Sequence, residues 1–188
     1  MLKMRQRGAP LIDTLVHAVY GATLFSRTGL AGGRRGAVDA QGKRMAFDWT
    51  IWAALGFGLF SDMASIGIFF TQTILRGDGI SFHALPAYVF VLYNLTHSLV
   101  FALLGLGLIR LFWKPLFIPA LAWPFHIGLD IFTHPLGHFQ TPFLYPLSDF
   151  AFDGIAWWMH RWFILAYWGL LPLIWLGIAL VRRRTPGQ

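Results

Sequence analysis

The chain contains no cysteine, which excludes disulfides and thiolate metal ligands and leaves the redox compartment unread. It also contains no glutamate: all 8 acidic residues are aspartates, so carboxylate chemistry has to use Asp. Charge is scarce altogether, at 12% of 188 residues, against 56% hydrophobic and 17% aromatic. That balance is wrong for a soluble domain of this size and right for a polytopic membrane protein. The N-terminal region lacks the compact apolar core and small-residue cleavage site of a signal peptide, so the spanning segments are expected to direct insertion themselves. No basic stretch interleaves with exposed aromatics as single-strand binders require. The net charge of +7 therefore reads as an orientation signal, with no nucleic acid as partner.

What the sequence does have is long apolar runs. Four read as clear spans: Trp49–Leu75, Leu85–Phe112, Leu116–Thr133 and Trp162–Val181. A fifth, Leu11–Phe25, carries Asp13 and His17 and is short, a partial or fifth span. The expected fold is an all-α polytopic transmembrane bundle, a single integral membrane domain over residues 1–188. Residues 26–47, with GLAGGRRG and QGKR, read as a flexible, basic, exposed linker. Residues 135–161, rich in proline and aromatics, read as a lid-like or re-entrant loop. Arg27, Arg34, Arg35, Lys43, Arg44, Arg110, Lys114 and Arg182 to Arg184 fall on one side of the spans, with Arg76 and Arg161 on the other. The first set belongs in the cytoplasm, so a cytoplasmic C-terminus and an outward loop 135–161 are expected. Lys3, Arg5 and Arg7 oppose this arrangement if the first helix truly spans.

Ionisable side chains at membrane depth are costly and point to function or pairing. Counted from the turn at Trp113–Pro115 along straight helices, His97 lies ~24 Å up, His126 ~20 Å and Asp130 ~26 Å. Asp62, counted from Asp48, lies ~21 Å up its own helix. Three helices thus bring His97, His126, Asp130 and Asp62 to one level, in the half of the bilayer away from the basic side. His126 and Asp130, four residues apart, share a helix face as paired metal ligands do. Imidazole and carboxylate without sulfur suit zinc, with manganese or iron as alternatives. Each residue also has a plainer reading. His97 fits a neutral histidine bonded to Asn94 or to another helix, and Asp62 a protonated group beside Ser61 and Ser65. His134 fits an interfacial position about a turn nearer the surface, and His83, His138 and His160 read as solvated. Asp149 and Asp153 either reach from the loop toward the site or stay in solvent.

YNLTHSLV (93–100), HIGLDIFTHP (126–135) and FLYPLSD (143–149), in that order, resemble the bacterial membrane-bound metal-dependent hydrolase family. The resemblance rests on a Thr-His-Ser motif, a later His-x-x-x-Asp and a Pro-Phe-Ser-like loop element. LFSDMAS (59–65) resembles the family's Pro-Asp-x-Asp element, and His17 falls where members carry an N-terminal histidine. The resemblance implies His17 as a further metal ligand, an inner-membrane location and hydrolysis, with phosphoester or lipid-linked substrates by analogy alone. It also exposes departures. The second aspartate of Pro-Asp-x-Asp is Ala64 here, and the His-Arg pair before Thr-His-Ser is Leu92 and Tyr93. One metal where relatives hold more, recruitment of His83 or His134, and loss of activity all follow as alternatives.

The expected function is a membrane-embedded metal-dependent hydrolase acting on a lipid-linked or amphipathic substrate. His97, His126, Asp130 and Asp62 would hold the metal, and Asp149 or His134 would serve as general base. The alternatives are a non-enzymatic metal-binding or transport protein and a structural membrane protein with a degenerate site.

Overall fold

The computed structural model describes residues 9–39, 41–78, 85–137 and 139–183, with side chains from residue 13 onward. His83, His138, Lys3, Arg5, Arg7 and Arg184 lie outside the described residues. The described residues form an all-helical bundle with no strand among them; an isolated β-bridge pairs Val38 with Arg44. The main helices are α1 (Ala9–Phe25), α2 (Trp49–Asp62), α3 (Ile68–Arg76), α4 (Ala87–Thr96), α5 (Leu99–Phe112), α6 (Phe117–Ala120), α7 (Ala122–Thr133) and α8 (Arg161–Arg183).

Among the described residues, three helical stretches are long and apolar enough to cross a membrane: Trp49–Arg76, Lys114–Thr133 and Arg161–Arg183. The first joins α2 to α3 through a π-helical turn, Met63–Gly67, immediately after Asp62. The expected fourth span is not one straight helix. α4 and α5 meet at 58° and pass the test of length only when taken together. The break has a local cause. Ser98 takes an extended backbone (φ −95, ψ 126), and its hydroxyl accepts the amides of Val100 and Phe101, capping a new helix start. The amide of Leu99 instead bonds to Phe143 O at 2.8 Å, so the loop 135–160 supplies a partner that a continuous helix would have provided itself.

α1, short as it is, sits at the centre, packed against α2, α6, α7 and α8. Its buried face carries Asp13, Thr14, His17, Ala18 and Thr23 beside Val16 and Tyr20. Close approach to α2 depends on Gly58: a Cβ there would lie 2.9 Å from Ala18 Cα and 3.1 Å from His17 O. Small residues at helix contacts let backbones approach in this way.

α8 packs Leu171 against Val16 and Tyr20 of α1 and makes polar contacts along its length. The Tyr20 hydroxyl donates to Tyr167 O at 2.6 Å, and the Trp175 indole donates to Thr23 Oγ1 at 3.1 Å. Arg182 donates to Thr28 O, Gly29 O and Gly33 O at 2.6, 2.7 and 3.1 Å. The rest of α8 exposes Leu165 and Leu173, 74% and 63% accessible, as a lipid-facing helix would. Part of the segment expected to be a flexible linker is therefore pinned. Ser26 Oγ accepts the Gly29 amide, and the Asp48 carboxylate accepts from the amide and hydroxyl of Thr28.

Candidate metal centre

Helix ends build the site as much as helix faces do. α1 presents Asp13 and His17 one turn apart, and α2 ends on Asp62 where the π turn begins. His97 terminates α4 at the break, and α7 presents His126 and Asp130 before terminating at His134, which precedes Pro135. All seven side chains meet. His97 Nε2 lies 3.4 Å from Asp62 Oδ1 and 3.2 Å from Asp130 Oδ2. His126 Nε2 lies 3.1 Å from the same Asp130 oxygen and 3.9 Å from Asp62 Oδ1. On the other side, Asp130 Oδ1 faces His134 Nδ1 at 3.3 Å and His17 Nδ1 at 3.5 Å. Asp13 completes that side, with Oδ1 3.4 Å from His17 Nε2 and Oδ2 3.6 Å from His134 Nε2.

The convergence of His97, His126, Asp130 and Asp62, reached by counting helical rise, is thus present in the structure. His17 joins it, and so does His134, expected a turn nearer the surface but only 16% accessible in its side chain. Asp13 was not singled out with its neighbour His17, although the pair repeats the four-residue spacing of His126 and Asp130. Asp149 is exposed on the loop, outside this buried group, and Asp153 is exposed with Oδ1 accepting the Leu136 amide at 3.0 Å. The loop does fold back. Gly154 N donates to His134 O and Ile155 N to Phe132 O, and a Cβ at residue 154 would fall 2.7 Å from both carbonyl oxygens.

The surroundings fix the chemistry of two imidazoles. A carbonyl only accepts, so His126 Nδ1 donates to Gly58 O at 2.7 Å and His97 Nδ1 donates to Tyr93 O at 3.0 Å. In its neutral form each ring then carries an unprotonated Nε2 directed into the cluster, the tautomer a metal ligand needs. Tyr93 also stacks on His97, ring centroids 3.8 Å apart. Trp123 Nε1 and Ser61 Oγ donate to Thr96 O, fixing the end of α4 against α2 and α7. Asp62 is oriented by the Thr14 hydroxyl, which donates to Oδ2.

Compared with family models, with curated proteins and with solved structures, the chain matches none.

The site is therefore judged on its own atoms. Asp13 Oδ1, both nitrogens of His17, His97 Nε2, His126 Nε2, both oxygens of Asp130 and His134 Nδ1 are buried without a hydrogen-bond partner. Buried polar atoms are almost always paired, so such a concentration needs an occupant. Most nitrogen–oxygen separations here exceed the ~2.7–2.9 Å of a charge-assisted hydrogen bond. They match the ~3.3 Å between two ligand atoms that share a tetrahedral ion at ~2.0–2.1 Å. Among the described residues, three overlapping sets have the spacing that could hold a cation: Asp62 with His97 and His126; His17 with His126 and Asp130; Asp13 with Asp130 and His134. The donor set fits a divalent metal.

Proposed function

We propose that the protein is a membrane-embedded metal-dependent hydrolase acting on a lipid-linked or amphipathic substrate, with phosphoesters suggested by analogy alone. The observation that carries the reading is the set of unpartnered His and Asp atoms brought together by α1, the end of α4, and α7 with its terminal His134. Asp62, His97, His126 and Asp130 would hold the metal, with zinc first and manganese or iron as alternatives. A bound cation of this kind polarises the scissile group and activates water at neutral pH. The chain's own contribution is orientation. Gly58 O and Tyr93 O set the two imidazoles, Thr14 sets Asp62, and the folded loop limits access from one end of the bundle.

Of the two residues expected as general base, Asp149 lies away from the cluster, whereas His134 stands at its rim beside Asp13 and Asp130. The resemblance to membrane-bound metal-dependent hydrolases agrees with this reading. The inner membrane as location, a cytoplasmic C-terminus and a site facing the outer half of the bilayer belong to the same proposal, supported by the distribution of arginine and lysine.

A second reading, a metal-binding protein without catalysis, is favoured by the complete burial of His97 and His126. Elemental analysis and hydrolysis assays on the purified protein separate the two. The hydrolase reading expects stoichiometric metal and cleavage of a phosphodiester, ester or amide lipid analogue. Since loss of groups behind a metal ligand already costs roughly 10–100-fold, His126→Ala should reduce turnover by about 100-fold or more. Bound metal with every analogue untouched would favour the binding protein, and absence of metal would refute both.

A further inference from the structure

One cation does not account for the cluster. The set around Asp62, His97, His126 and Asp130 Oδ2 already offers one ion a full complement of protein ligands. Served that way, it leaves Asp13 Oδ1, His134 Nδ1, both nitrogens of His17 and Asp130 Oδ1 still buried and unpartnered. Charge also calls for cations at this place. Asp13 and Asp130 are 5% and 1% accessible, and Asp62 16% in its side chain. Among the described residues no lysine or arginine is paired with any of the three; their ion-pair partners are histidines. Ionised carboxylates without a counter-charge are too costly to bury, so positive charge has to come from bound ions or from the imidazoles themselves.

The decisive feature is Asp130. Its two oxygens point at different nitrogens: Oδ2 at His97 and His126, Oδ1 at His134 and His17. Neither oxygen accepts a hydrogen bond. A carboxylate divided in this way between two sets of donors is placed to bridge two ions.

We infer that the cluster is a two-cation centre bridged by Asp130, the second divalent ion being held by Asp13, His134 and Asp130 Oδ1. His17 stands beside this second position, its ring nitrogens 3.4 Å from Asp13 Oδ1 and 3.5 Å from Asp130 Oδ1, and supplies it with a further nitrogen. His134 is then a ligand, not the base. The inference rests on the reading of the cluster as a metal centre, and its failure is distinguishable from the failure of that reading.

The experiment loads the purified full chain in detergent with Mn(II) and measures ions per chain and the electron paramagnetic resonance spectrum. The wild type is expected to bind two ions and to give the spectrum of a coupled spin pair. Asp13→Ala and His134→Ala should each retain one ion with an uncoupled spectrum. His97→Ala should also retain one, and Asp130→Ala should lose the coupling and weaken both sites. One ion per wild-type chain with an uncoupled signal that persists in Asp13→Ala would overturn the two-cation centre and leave the single-metal reading standing. No bound ion would overturn both. The wild-type measurement is decisive by itself should a variant fail to fold.

Discussion

At the scale of single residues, the same side-chain types do different work according to what surrounds them. Asp48 and Asp130 are both buried aspartates, yet only Asp48 is fully served by donors. It caps α2, accepting the Thr50 amide at 3.0 Å and the Thr28 amide at 2.7 Å. Burial pushes the Asp48 carboxyl up, but hydrogen bonds from Thr50 and Thr28 outweigh it and hold it below the ordinary value of 3.8. The stabilisation is therefore present above that pH and is lost as pH falls through the folded value. Asp48→Ala is expected to cost about 1–2 kcal/mol at neutral pH. Its melting temperature in detergent should converge on that of the wild type only below pH 3.8; a constant gap down to strongly acidic pH would contradict this account. The metal-site residues were unequally legible. His97, His126, Asp130 and Asp62 could be ranked by depth because each lies a countable number of residues from a boundary. Asp13 and His17 had no such reference, since their helix is too short to place by length. His134 was placed too near the surface because counting along α7 cannot show the loop folding back over its end.

At the scale of elements, the departures from regular helix carry the centre. The π turn after Asp62 and the break at His97–Ser98 fall on short polar stretches inside long apolar runs, and those polar residues signal a site without signalling a change of helix. Ser98 was the available signal, as a helix-capping residue type, but it was read as part of a motif and not as a helix start. The contact of α1 with α2 is the other determinant, because it presents Asp13 and His17 to the rest. Gly58→Ala would add a Cβ 2.9 Å from Ala18 Cα, a backbone atom that cannot rotate away. The usual gain of about 1 kcal/mol from replacing a helical glycine should be outweighed by an overpacking cost of about 1–3 kcal/mol. The expected outcome is a lower melting temperature together with weaker metal binding, because α1 has to move. A more stable variant with unchanged metal affinity would show that the helices separate without disturbing the centre.

At the scale of the whole molecule, metal and fold are expected to be linked. A ligand that binds only the folded state stabilises it by about 1.4 kcal/mol for each tenfold rise in free concentration above its dissociation constant. One ion per chain should give that slope, and two ions with similar affinities about 2.7 kcal/mol per tenfold. Unfolding measured across buffered zinc concentrations tests this, and stability independent of zinc and of chelator would count against any resident ion. The fold also has an order in time. The seven groups of the cluster lie between residues 13 and 134, and α8 contributes none of them. Arg182, which closes α8 onto the carbonyls of Thr28 and Gly29, is 154 and 153 residues away from them in sequence. During synthesis the ligands are therefore all made before the clasp is. The cluster can assemble while α8 is still unmade, and the linker carbonyls wait for a donor that the ribosome delivers only later.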